Sequence, residues 1–291
     1  MSAPEQSIPE AFLERSRDFI ARAKALGLHD AERYYWYHTI DLGDGLVTPG
    51  MYDYRETISQ FGFPEDMTGL TVLDVGSATG FFAFEFERRG ARVISVELPS
   101  LRDLDRFPGQ NVEDSLRKIE GMIFPDSLDQ EKFVRHGHAE RELYWYLLEG
   151  PFRFCRDRLK SRVERCYSTV YDLTVERTGV REGFDFVFFG DVMIHTLYPL
   201  KALAALASLS TGTLVFAGVL PEGPQEPPAM MYIGGSDAAD DEVAWWHPNL
   251  SCLVQMLRKL GFATVDKVGF HTGLLYPSGY RFERVVLRAQ K

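Results

Sequence analysis

Cysteine is scarce: Cys155, Cys166 and Cys252 are the only three in 291 residues, and no two stand in a C-x-x-C spacing. That excludes a disulfide framework and a cysteine-built zinc site, and it fits a reducing compartment such as the cytoplasm. Long apolar runs are also missing. No stretch of about 18 residues escapes interruption by charge, and the first ten residues lack the basic start and apolar run of a secretory signal, so neither a membrane partner nor a targeting segment is expected. Basic residues are in deficit, with 32 Lys and Arg against 42 Asp and Glu, a net charge of −10 and a sequence pI near 5.3. Such a surface repels phosphate backbones at long range, so a nucleic-acid partner would need a local basic patch. What is present, 45% hydrophobic and 25% charged residues, suffices for a large core and excludes a disordered or fibrous architecture.

Phe12, Leu13, Phe19, Ile20, Ala23 and Leu26 recur near helical spacing, which predicts an amphipathic helix over 8–26 that stops at Gly27. It makes residues 1–33 an N-terminal helical extension ahead of one α/β domain, 34–291. Tyr34, Tyr35, Trp36, Tyr37 and His38 are followed by glycines and Pro49, a composition expected of an ordered loop walling a ligand. LTVLDVG (Leu70 to Gly76), FFAFEFERRG (Phe81 to Gly90) and ARVISVE (Ala91 to Glu97) then read as strand, helix and strand with a right-handed parallel crossover. CYSTVYD (Cys166 to Asp172), FDFVFFG (Phe184 to Gly190) and TLVFAGV (Thr213 to Val219) add buried strands, with a helix from Leu197 to Leu209 between the last two. The alternation predicts a Rossmann-like doubly wound sheet, mostly parallel. A helix from Asn249 to Phe262, then ATVDKVGF and RFERVVLRA, adds a C-terminal antiparallel hairpin strand at one edge. Two insertions interrupt this core, a helical one at 98–165 and a Pro/Gly-rich loop at 221–248.

The informative motif is Asp74-Val-Gly-Ser-Ala-Thr-Gly80, where a strand hands over to a helix. Gly76 and Gly80 let the backbone turn sharply and approach a ligand, and the helix N-terminus offers donors and positive potential. Glu97 ends the second strand, where an acid can accept from both hydroxyls of a ribose. Together they point to an adenosyl ligand. The dinucleotide fingerprint G-x-G-x-x-G is absent, since position 78 is alanine. Asp74 would repel a pyrophosphate on that turn but can hold the cationic aminoacyl end of S-adenosyl-L-methionine.

From Trp36 on, the chain resembles the class I methyltransferases. DVGSATG looks like their first motif, VISVE their second, VYDL (Val170 to Leu173) their adenine-contacting segment and FDFVFFGDVMIHTLYPL (Phe184 to Leu200) their fourth-strand motif. The resemblance implies Gly76, Ser77 and Gly80 around the methionine part, Glu97 on the ribose, Asp172 on the adenine amino group with Leu173 beside it, and Gly190 and Asp191 facing the transferable methyl. More narrowly, WYHTIDLGDGLVTPG and WWHPN (Trp245 to Asn249) resemble the tRNA wobble-uridine methyltransferase-like group. The lysine-containing RKGPF-type segment of its carboxymethyl-transferring members is missing, which argues against the carboxylated cofactor.

Methyl transfer from a sulfonium is an in-line displacement that needs positioning and, for a protonated nucleophile, a base. Candidate bases are His195, His38 and His247, with Asp191 next. Tyr37 is expected to present its ring to the sulfonium as a cation–π contact, with Tyr34, Tyr35 and Trp36 packing. Tyr144 and Trp145 suit a substrate lid, and Trp245, Trp246 and Asn249 are expected at the acceptor, the two rings stacking on it; in the alternative the rings precede a helix capped by Asn249. His136 and His138 at i,i+2 fit a solvated loop better than a metal site, so no metal is expected. PFRFCRDRLKSRVERC (Pro151 to Cys166), with six bases and two acids, is the one basic concentration and reads as a solvated helix face or a tRNA contact. The preferred expectation is methylation of an oxygen or nitrogen on a small-molecule metabolite. The alternatives are tRNA anticodon modification and a non-catalytic cofactor-binding regulatory subunit.

Overall fold

The structure, a computed structural model, describes residues 7–123, 140–221, 223–237 and 243–291. The apolar runs fold as strands β1 (Thr71–Val75), β2 (Arg92–Glu97), β3 (Glu164–Tyr167), β4 (Phe184–Gly190) and β5 (Ser210–Gly218). A short antiparallel ribbon, β6 (Met230–Tyr232) with β7 (Trp246–Pro248), stands apart, and β8 (Thr264–Leu275) and β9 (Tyr280–Gln290) close the chain. The main sheet has the order β3-β2-β1-β4-β5-β9-β8. β9 runs antiparallel to both β5 and β8, so the terminal hairpin places one reversed strand inside a mostly parallel sheet. The helices are α1 (Ile8–Ala25), α2 (Phe81–Arg88), α3 (Val112–Ile123), α4 (Glu140–Tyr144), α5 (Gly150–Leu159), α6 (Val175–Thr178), α7 (Pro199–Leu209) and α8 (Leu250–Lys259), and a π-helical turn, Trp145–Glu149, joins α4 to α5. Among the described residues no helix is long and apolar enough to cross a membrane.

Local chemistry explains the boundaries. Ser7 and Glu10 form a capping box at the start of α1, and Gly27 takes φ 75° just past its end. Phe19 of α1 meets Trp36 edge-on at 5.0 Å, which ties the N-terminal helix to the aromatic loop. The third strand is shorter than expected and earlier: it ends at Tyr167, opposite Glu97, because β2 offers no partner beyond that pair. Val170–Asp172, expected as strand, is instead a 3₁₀ turn.

Strand alternation sorts side chains onto two faces. Leu73, Val75, Ile94, Val96, Val187 and Phe189 pack against the helices of one face, while Val72, Val93, Phe186 and Phe188 pack against α2 and the N-terminal segments. In register, Asp74 stands opposite both Ser95 and Phe188, and Glu97 lies two residues beyond Ser95. Directly paired residues share a face, so Asp74 and Glu97 project on the same side at the C-terminal edge.

Asn249 caps α8. Its Oδ1 accepts from the Cys252 amide at 2.9 Å and the Ala229 amide at 3.1 Å, and its Nδ2 donates to the carbonyls of Pro224, Gln225 and Pro227 at 3.3, 3.2 and 2.9 Å. These buried bonds tie the loop insertion to the helix, so the assignment of Asn249 to substrate is corrected: its polar atoms are committed to the backbone. Asn249→Ala is expected to lower stability by roughly 2–3 kcal/mol, read as a lower urea midpoint at unchanged m.

Candidate functional site

In an open α/β sheet the crevice lies where strand order reverses, here between β1 and β4. A cavity of ≈ 320 Å³ opens there, lined on one side by Asp74, Gly76, Ala78, Glu97 and Thr169 to Tyr171, and on the other by Tyr37, His38, Gly190, Asp191 and His271. The turn after β1 depends on glycine: Gly76 has φ +71°, and a Cβ there would stand 2.4 Å from Val192 Cγ2. Ala78 also adopts a left-handed φ of 47°, which aims its N–H at Glu97 Oε2, 2.8 Å away.

Two acids meet in this cavity. Asp74 is 1% exposed and its Oδ2 has no hydrogen-bond partner among the described residues. Burial, and then the neighbouring Glu97 charge, push its pKa up to about 7, with Arg165 opposing. Glu97 Oε1 accepts from the Leu98 amide at 2.9 Å, and its Oε2 lies 3.5 Å from Arg165 Nη2. Arg165 is buried beneath the turn: it donates to the Ala78 carbonyl at 2.9 Å, lies over the Phe152 ring at 4.0 Å and approaches Glu149 Oε2 at 3.7 Å. Glu149 in turn accepts from Tyr167 at 2.6 Å and Arg153 at 2.5 Å.

Farther along, Asp191, directly after β4, has φ 51°, donates its N–H to the Ala217 carbonyl at 2.8 Å and receives Arg284 Nε at 3.2 Å. Burial raises its pKa despite that guanidinium. His38 is buried, its Nδ1 is 3.1 Å from Thr79 Oγ1, and burial drives its pKa down to about 3, so the ring is neutral. His195 stands at the solvent-exposed mouth with Nδ1 2.5 Å from the Val243 carbonyl. A carbonyl only accepts, so Nδ1 carries the proton and Nε2 keeps a free lone pair.

Eight of the expected residues therefore converge on one cavity: Tyr37, Asp74, Gly76, Glu97, Gly190, Asp191, His38 and His195. Others do not line it. Ser77 bonds Ser95 beneath the turn, and Gly80 takes φ 94° at the start of α2. Asp172 is exposed and accepts from Thr169 Oγ1, and Leu173 is in the core, because the 3₁₀ turn presents Thr169, Val170 and Tyr171 to the cavity in their place. His247 pairs with Met231 in the β6–β7 ribbon. Trp245 is fully buried against Phe107 and Trp246 donates to the Leu197 carbonyl, and neither ring lines the cavity. Tyr144 donates to the Leu98 carbonyl at 2.7 Å while Trp145 faces solvent, so neither closes over the cavity. His136 and His138 lie outside the described residues, among which no cluster suits a metal ion.

Arg165, Tyr54, Arg284 and His271 escaped sequence reasoning. Arg165 sits in the basic segment, where nothing local marks one base as buried. The other three come from a loop and the terminal hairpin, which reach the cavity through the sheet order.

No family model matches the chain. A 48-residue segment is 46% identical to the magnesium-protoporphyrin O-methyltransferase of Rhodobacter capsulatus, a match covering 16% of this chain and about a fifth, 21%, of that protein. Among solved structures, the N-terminal domain of EvdMO1 with S-adenosylhomocysteine bound is similar at a TM-score of 0.51 and 13% identity, covering 94% of this chain and 96% of that one. Magnesium protoporphyrin IX methyltransferase (ChlM) of Synechocystis PCC 6803 with bound SAM is similar at 0.43 and 13%, covering 81% and 76%. The shared architecture is the Rossmann-like class I methyltransferase fold.

The raised Asp74 pKa sets a pH dependence. Folding favours its protonated form, so the favourable contribution present below the ordinary value of 3.8 is lost as pH rises toward about 7, above which the loss is complete. Asp74→Asn removes this slope. The variant is expected to be more stable than wild type by roughly 2–4 kcal/mol at pH 8 and by less at pH 5, measured by urea unfolding.

Proposed function

We propose that the chain is an S-adenosylmethionine-dependent methyltransferase acting on an oxygen or nitrogen nucleophile of a small-molecule acceptor. The carrying observation is the convergence of Asp74, with a buried oxygen that has no partner among the described residues, and Glu97 on one cavity behind the Gly76 turn. These residues fit the cofactor. Asp74 holds its cationic amino group, Glu97 accepts from ribose hydroxyls, and Thr169 to Tyr171 flank the adenine. When bound, S-adenosylmethionine supplies an electrophilic methyl carbon on a sulfonium.

The rest of the chemistry belongs to the chain. Tyr37 and the buried rings around it exclude water from the corner beside Asp191. His195 Nε2 takes the acceptor's proton, while the Val243 carbonyl fixes the tautomer. His38, kept neutral and tied to Thr79, orients the loop over the glycine turn. The partial match to a magnesium-protoporphyrin O-methyltransferase supports an oxygen nucleophile on a small molecule.

The tRNA alternative finds less support. Arg153, Arg156 and Arg158 pair with Glu149, Asp157 and Asp44, so much of the basic segment is neutralised locally. The non-catalytic alternative ends with one productive acceptor.

Titration calorimetry tests the cofactor. Wild type is expected to bind S-adenosylmethionine with micromolar affinity and Glu97→Ala about 10–100-fold more weakly. Absence of wild-type binding would refute the assignment. His195→Ala is expected to bind the cofactor normally yet release S-adenosylhomocysteine about 10²–10⁴-fold more slowly on any hydroxylated acceptor that wild type uses. An unchanged rate removes His195 as the base.

A further inference from the structure

Resting on the function proposed above, we propose that the part of the cavity beyond Asp191 is the acceptor subsite, that it takes a neutral planar ring bearing a hydroxyl, and that His271 holds this hydroxyl. The lining of the cavity runs from Glu97 on β2 to His271 on β8, five strands along in the sheet order. The acids assigned to the cofactor stand at the β1–β2 end. Tyr54 and Phe61 stand against His271, while Phe82 and Phe188 join this wall to the cofactor end, Phe188 being paired with Asp74.

His271 is the polar exception in that wall. It is 1% exposed, yet among the described residues neither Nδ1 nor Nε2 has a hydrogen-bond partner. Its ring stacks on Phe61 at 4.1 Å with an interplanar angle of 22°, and Tyr54 and Phe282 meet it edge-on at 5.8 and 6.1 Å. Burial and the Arg284 charge hold its pKa down at about 3, so the imidazole is neutral, with one donor and one acceptor. Leaving both unmade in a buried site is costly. A hydroxyl matches either role, and the aromatic walls suit a flat ring.

The backbone is built to aim this residue. Val265 faces the α8 side of the sheet, and uninterrupted alternation would put His271 on that side too. The register shift between Lys267 and Gly269 changes the parity and pairs His271 with Arg284, on the face of Phe282 and Val286. The charges nearest this end, Asp191 and Arg284, neutralise each other, so a charged acceptor ring would gain little there and lose its hydration.

The test uses full-length protein loaded with S-adenosylhomocysteine and three matched probe pairs: phenol and benzene, 2-naphthol and naphthalene, 7-hydroxycoumarin and coumarin. Wild type is expected to bind the hydroxylated member of at least one pair at least tenfold more tightly. His271→Phe, which keeps the ring stack, is expected to abolish that preference at unchanged Tm and cofactor affinity, and His271→Gln to restore part of it. Imidazole ¹⁵N resonances that vanish in His271→Gln should shift with the hydroxylated probe and not with its partner, a response a purely structural ring would not give. Absence of preference in all three pairs, or its persistence in His271→Phe, overturns the proposal. If S-adenosylhomocysteine does not bind, the cofactor assignment falls, and the pairs are then measured on unliganded protein, where the same outcomes decide the acceptor subsite.

Discussion

Parallel strand register is the constraint on which this structure rests. Because β1 pairs with both β2 and β4, Asp74 and Glu97 emerge on one face of one edge, and Asp191 follows the end of the neighbouring strand. Carboxylates held this close in a poorly solvated cavity repel, and the counter-charge is rationed. Arg165 serves Glu97 and Glu149, while Arg284 serves Asp191. Among the described residues Asp74 is left without an ion-pair partner within bonding distance, and it holds its proton to about pH 7. The cavity thus favours a ligand carrying a positive charge beside hydroxyls, a description that S-adenosylmethionine satisfies.

The elements around this edge supply enclosure. The ring-rich loop is knitted to the glycine turn through the His38 amide and Thr79 Oγ1, at 3.2 Å, and to the helical insertion through the Tyr35 amide and the Tyr146 carbonyl, at 2.9 Å. In that insertion the π-helical turn separates three consecutive aromatic residues: Tyr144 is buried, Tyr146 lies under Arg33, and Trp145 faces outward beneath Arg153. Leu148, from the same turn, reaches the cavity wall. One segment thereby serves both packing and the site, as π-helical turns often do.

The succession of core strands and helices along the chain, the glycine turn and the terminal hairpin were legible because each rests on a local signal: β-branched runs, small residues at a strand end, a helical stripe followed by two alternating segments. Asp74, Gly76 and Glu97 were legible for the same reason, since a strand–turn–helix–strand unit carries its own geometry. Thr169, Val170 and Tyr171 line the cavity in place of the expected Asp172 and Leu173 because β3 loses its partner at Glu97, and strand length is a property of the pair. Trp245, Trp246 and Asn249 looked available for an acceptor, yet packing and backbone bonds consume them.

Sequence by itself determined the doubly wound fold and the acidic, glycine-turned end of the cavity, because side chains a few residues apart on one strand or turn are placed by backbone geometry alone. Only the tertiary structure decided that Arg165 is buried, that Arg284 meets Asp191 and that His271 enters the cavity. The last depends on a single extra residue in β8, which reverses the alternation within one strand, and on a sheet order that brings residues about 200 positions apart against one ligand space.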